Sequence, residues 1–285
     1  MTMQQVMMLE LQASVFLMVF SFGLQATVQD LLFLVRHPGL LVRSLVAMFV
    51  VMPIVAVILV RAFELRLSFE IALVALAISP VPPLLPGKQS RAGGRPAYAL
   101  GLMAVVSLLA IVVVPLSLAV LGRYTARPLQ MPPSEIAKVV LIMTLLPLLA
   151  GVLVRSVAPA AADWLEKPMK IVSTVLLLGG VVALLIAAFP VLRTLADVPT
   201  LVALAAFVGI GLAAGKWLGG PNPDEASVLA LSTASRHPAI ALAVAKTNFP
   251  DEPYLGVTIL LYILVAAIIS VPYVMRQRSL ASIPA

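Results

Sequence analysis

The sequence has no cysteine and only two histidines in 285 residues. Disulfides, thiolate catalysis and iron–sulfur clusters are therefore excluded, and His37 and His237 alone cannot build a histidine-rich metal site. Charge is scarce as well, at 11% of residues. So little polar surface cannot cover a water-soluble globule. What is present instead is aliphatic: 62% of residues are hydrophobic, and the mean hydropathy is +1.11. The long apolar runs do not alternate with polar residues, so they fit membrane helices of about 20 residues rather than barrel strands of about 10. The expected class is an all-α integral membrane protein. The opening MTMQQVMMLE lacks the positive charge of a secretory signal, so the first apolar stretch is read as a retained span.

Nine spans are expected, over 6–27, 39–61, 70–95, 98–122, 135–155, 168–190, 199–218, 225–248 and 255–275. The connections carry turn residues, among them Arg36-His37-Pro38-Gly39, the stretch from Pro128 to Pro133, Pro159 to Trp164, and Gly219-Gly220-Pro221. None is long enough for a soluble domain. The net charge of +7 is spread over these loops, which points to orientation in the bilayer and not to nucleic acid. A cytoplasmic C-terminus places eleven Lys and Arg residues inside, including Arg43, Arg95 and Lys216. Seven then lie outside, including Arg61, Arg127 and Lys138. With an odd number of spans the N-terminus is outside, in a multi-pass protein of the cell membrane.

Two of the spans are interrupted. Glu70-IALVALAISPVP-Pro83 and Glu225-ASVLALSTASRH-Pro238 lie 155 positions apart, and both carry Glu, Ala-Leu and Pro at the same offsets. Pro80, Pro82, Pro83 and Pro86 cannot continue an α-helix, so the third span should stop near Ser79. Unwound backbone in hydrocarbon costs several kcal/mol per unpaired group unless protein or a wet cavity satisfies it. Breaks of this kind are tolerated chiefly where a solute binds. Other prolines read as structural, Pro53 as a mid-span kink and Pro115, Pro147, Pro190 and Pro272 nearer span ends.

The second break carries the chemistry. An arginine near mid-bilayer costs about 2.5 to 3.5 kcal/mol on insertion scales, so Arg236 needs water, a partner or a ligand. No acid sits at a confident span centre to pair with it, and the simplest neutraliser is an anionic solute. A guanidinium grips carboxylate or sulfate well, and a half-helix opening at Pro238 adds N–H donors and positive dipole. His237 is expected as a neutral donor, and Thr233 and Ser235 add hydroxyls. The competing reading ends the span at Ser235 and leaves Arg236 and His237 among headgroups; the apolar run from Ala239 to Ala245 favours re-entry. Lys88, just past Pro83, either faces the same point or is an ordinary loop cation. The candidate site is thus Pro83, Lys88, Thr233, Ser235, Arg236, His237 and Pro238, with no metal and no cofactor.

The stretch FSFGLQATVQDLLFLVRHPGLLVRSLVAMFVVMPIVAVIL, with Gly-Leu ending one helix, His-Pro opening the next and Met-Pro inside it, resembles the bile acid:sodium symporter family. SPVPP stands where members carry a Pro-Gly-Gly crossing, and the similarity runs over essentially the whole chain. The resemblance implies inverted five-helix repeats and two broken helices that cross. It implies a core, here 39–122 and 199–275, against which a panel of 6–27 and 135–190 rocks. It also implies departures. Sodium-coupled members carry a Glu and a Gln-Asn at the second crossing and a Ser-Asn after the first; Thr233, His237, Pro238, Leu85 and Pro86 stand there by position. The oxygens that hold sodium are gone, while Arg236 brings a fixed charge to the region. Coupling to sodium is not expected; a proton or a differently held sodium remains as coupling ion.

The function expected is secondary transport of an organic anion, bile-acid-like or a smaller carboxylate or sulfate compound, by alternating access in the bilayer. A channel or pore is the alternative, because broken helices also build filters. An intramembrane lipid-modifying enzyme is a poorer fit: metal-dependent ones need clustered aspartates, and Asp30, Asp163, Asp197, Asp224 and Asp251 are scattered.

Overall fold

The computed structural model describes residues 3–125 and 129–281, which leaves Arg127 and Pro128 outside the described residues. The described residues form helices and turns without a strand. In order these are α1 (Met3–Gln25), α2 (Val28–Leu31), α3 (Phe33–Arg36), α4 (Pro38–Ala62), α5 (Leu67–Ile78), α6 (Leu85–Arg91), α7 (Pro96–Thr125), α8 (Pro133–Val157), α9 (Pro159–Leu195), α10 (Val198–Leu218), α11 (Pro223–Ala234), α12 (Pro238–Asn248) and α13 (Leu255–Ala281). Eight segments among them are long and apolar enough to cross a membrane, with α11 and α12 taken together as one. The third span, expected to be interrupted, consists of two short helices, α5 and α6, of 12 and 7 residues.

Prolines set much of this pattern. Pro38, Pro133, Pro159, Pro223 and Pro238 each open a helix, where the missing N–H is not needed. Inside α4 and α8 they act differently. A π-turn over Ala47–Val51 precedes Pro53, and another over Leu141–Leu145 precedes Pro147. Each turn lets the helix widen by one residue around a proline that cannot donate.

The most visible departure from the sequence reading is α9, whose 37 residues include the stretch from Pro159 to Trp164 read as a connection. Ala160, Ala161, Ala162, Glu166 and Lys167 are strong helix formers. The carbonyl that Pro168 leaves without a donor belongs to Trp164, whose side chain is exposed, so water can take the place of the lost bond.

Small residues allow the helices to close on one another. Gly211 and Gly215 of α10 and Gly219, which caps it, lie against Ala234, Ala230 and Ala226 of α11, one glycine per alanine, so close that a Cβ on Gly215 would stand 2.6 Å from the Ala230 Cα. Gly23 of α1 and Gly151 of α8 meet in the same way. This spacing of small residues every fourth position is the usual means by which membrane helices approach without a hydrophobic drive between them.

Packing sorts the helices into two groups. The first helix, α1, lies against α8 and α9, while α4, α5, α10, α11, α12 and α13 pack among themselves; α8 also packs on α7 and α9 on α13, which joins the two groups. The interrupted pair α11 and α12 is the most enclosed apolar stretch, 78% buried over its hydrophobic window against 17% for α9. The polar break is therefore interior to the protein and does not face lipid.

Candidate functional site

The two breaks meet. The first half of one interrupted segment packs on the second half of the other: α5 against α12, and α6 against α11. At their centre the extended residues Ser79 and Ser235 follow α5 and α11, and the His237 N–H donates to the Pro80 carbonyl at 2.8 Å. The helix expected to stop near Ser79 does so, with Ser79 as its C-cap. The chain after Ser235 re-enters as α12, with Pro238 in its first turn.

Arg236 is 1% exposed. Its Nη1 donates to the Ser79 carbonyl at 3.2 Å and its Nη2 to the Met48 carbonyl at 3.0 Å, so one side chain joins both breaks to the π-turn of α4. Among the described residues no carboxylate pairs with it, and its Nε–H has no hydrogen-bond partner. The backbone oxygens satisfy two donors without neutralising the charge. A buried cation in this state favours any anion that can reach it.

His237 is 3% exposed and caps α12. Its Nδ1 accepts from the Ile240 N–H at 3.4 Å, which leaves the ring proton on Nε2. That Nε2 is buried with no partner among the described residues. The cap also consumes a donor of the α12 N-terminus. With Pro238 lacking an N–H, Ile240 bonded to the ring and Ala241 bonded to the His237 carbonyl, Ala239 holds the first-turn N–H not already engaged.

The other predicted residues are distributed around this centre. Thr233 turns its hydroxyl to the Leu229 carbonyl of its own helix at 2.8 Å and faces Gly215 of α10. Ser235 is buried in the unwound link. Pro83 is buried in the turn between α5 and α6, and Lys88 is half-buried on α6. Beside Lys88, Gln89 turns inward and donates to the Val228 carbonyl at 3.0 Å and the Ser232 hydroxyl at 2.7 Å, holding α6 on α11.

Gln89 and Tyr262 escape the sequence reading. Tyr262, 2% exposed on α13, donates its hydroxyl to the Ala234 carbonyl at 2.9 Å and so closes the end of α11. A glutamine inside an otherwise apolar crossing, and a tyrosine in the middle of the last span, are the signals that would have marked them. At one edge of the same layer, Arg95 pairs with Glu225 at 3.0 Å and lies over the Phe33 ring at 4.7 Å, tying the exit of the first interrupted segment to the entry of the second.

The family model described as the sodium bile acid symporter family matches residues 13–194, well over half of the chain. The matched stretch includes α4, the first break and α9, and it stops short of Arg236 and His237. No curated protein matches the chain. With the family model covering the first break and its surroundings, the chain belongs to the sodium bile acid symporter family, whose members are membrane transporters.

Proposed function

We propose that this chain is a secondary carrier of an organic anion, bile-acid-like or a smaller carboxylate or sulfate compound, that works by alternating access about the meeting point of the two breaks. Nine membrane crossings in two inverted repeats fit this reading, with the α5 to α6 pair serving as one crossing. The close packing of α1 on α8 and α9, joined to the remaining spans through α7 and α13, supports a panel that moves against a core of those spans. The cytoplasmic C-terminus inferred from loop charges belongs to the same reading.

One observation carries it: in consecutive residues of the unwound link, a buried guanidinium lacks a counter-charge and a buried imidazole N–H lacks an acceptor among the described residues. An anion's oxygens supply what both lack. Because Nδ1 already accepts, His237 can only donate at Nε2, and the site selects a solute that accepts. Lys88 and Ser235 complete the approach. No carboxylate or amide side chain stands at Thr233, His237 or Pro238 to hold sodium, so transport does not depend on it.

The test is a thermal-stabilisation screen of the purified protein with organic anions, run in sodium and in choline salts. An anion that raises Tm equally in both is expected, and His237→Phe should weaken its binding by about 10- to 100-fold, the range for a hydrogen bond to a charged group. Stabilisation or flux that requires sodium would overturn the coupling claim. An anion bound as tightly by His237→Phe as by the unmodified protein would overturn the site.

A further inference from the structure

Prolines remove hydrogen bonds from the backbone at the two places that Arg236 reaches. Met48 lies in the π-turn of α4, where a carbonyl accepts from the N–H five residues on, and that residue is Pro53, which has none. Ser79 ends α5, and the N–H groups that would close a further turn onto its carbonyl belong to positions 82 and 83, both proline. Two carbonyl oxygens are thereby left without a donor from their own segment, in an interior where an unpaired one is costly. The neighbouring free oxygens are already served, Pro80 by the His237 N–H and Ala234 by Tyr262. The Ser79 oxygen also lies at the C-terminal end of α5, where the helix dipole favours positive charge.

We propose that the Met48 and Ser79 carbonyl oxygens form a backbone site for a small cation of the guanidinium type, which Arg236 fills from within the chain. The planar fork of the guanidinium suits it: one terminal nitrogen goes to each oxygen, from segments 31 positions apart in sequence. The filler is tethered, so the meeting of α4 with both breaks needs no ion from solution. This role is independent of which solute is carried, and it assigns the terminal nitrogens of Arg236 to holding the site together.

The experiment uses purified Arg236→Ala without any anionic solute, melted in choline chloride and then with methylguanidinium, sodium or potassium at matched ionic strength. Loss of two bonds to buried oxygens should lower Tm on the order of 10 °C. Low methylguanidinium should restore most of that loss in the variant and leave the unmodified protein unmoved. Recovery with sodium or potassium also supports a cation site. No recovery with any of the three, or an Arg236→Ala protein that melts with the unmodified one, overturns the proposal.

A second measurement does not depend on rescue. Pro53→Ala returns an N–H to the Met48 carbonyl, so the Tm loss caused by Arg236→Gln should be smaller in the Pro53→Ala background than alone. Equal losses in the two backgrounds would remove Met48 from the site. The cation series is read without solute and the anion screen without guanidinium, so either proposal can fail while the other stands.

Discussion

Replacing Gly215 by alanine should destabilise the protein, although alanine is the better helix former. The added Cβ would lie 2.5 Å from the Leu229 carbonyl oxygen and 2.6 Å from the Ala230 Cα, both backbone atoms of α11 that cannot rotate away. Ordinary contact begins near 3.4 Å, so α10 and α11 must separate by about 0.9 Å, a gap that forfeits a quarter to a half of the attraction across the seam. Overpacking of this kind costs about 1 to 3 kcal/mol. The helix-propensity gain of about 0.8 to 1.0 kcal/mol opposes it and does not win. Gly209, on the same helix, has nothing within 4 Å of its Cβ position and gives the control. Melting of the detergent-purified proteins should place Gly215→Ala several degrees below Gly209→Ala, at roughly 2 to 4 °C per kcal/mol for a chain of this size. Equal melting temperatures would show that the α10 to α11 seam is not the close contact described.

Tyr262→Phe removes the hydroxyl that closes α11 and leaves the Ala234 carbonyl without it; a stability loss of about 1 to 3 kcal/mol is expected from chemical denaturation in detergent, and none would show that water replaces the bond. Asp197 caps α10 through the Thr200 N–H at 2.9 Å. The Thr200 side chain first, and then that N–H and Arg66 at 3.7 Å, hold its carboxyl below the usual value of 3.8 against the opposing effect of burial. A depressed folded value means that the stabilisation is present above the unfolded pKa, about 3.9, and is lost as pH falls through the folded one. Asp197→Asn should therefore flatten the acid limb of a Tm-versus-pH curve below about pH 4, and an unchanged limb would refute the assignment.

The membrane class, the length of most spans and both breaks were legible because they depend on composition and on proline, which act locally. Ser79 could be read as the end of α5 since four prolines follow it within seven residues. The full extent of α9 could not, because whether Pro168 ends a helix depends on what replaces the hydrogen bond to the Trp164 carbonyl, which residue order does not fix. Arg236 was visible as a cation without an acid, yet its two backbone partners were not. Its bond to Met48 spans 188 positions and exists only because α4 widens before Pro53. The tautomer of His237 likewise followed from the geometry of a helix cap, which the residue order alone does not fix.

The length of α9 has its own consequence. At 1.5 Å per residue its 37 residues extend about 55 Å, while the hydrocarbon layer is about 30 Å thick. Asp163, Glu166, Lys167 and Lys170 all fall in its first twelve residues, so the surplus turns leave the lipid at that end as a stalk, braced against α8 by the Arg155 to Asp163 ion pair, with Ala162 buried. A stalk amplifies small rotations of the rod at its base into larger displacements at its tip. Trp164, exposed near that tip, is a ready optical reporter of any tilt between the two helix groups.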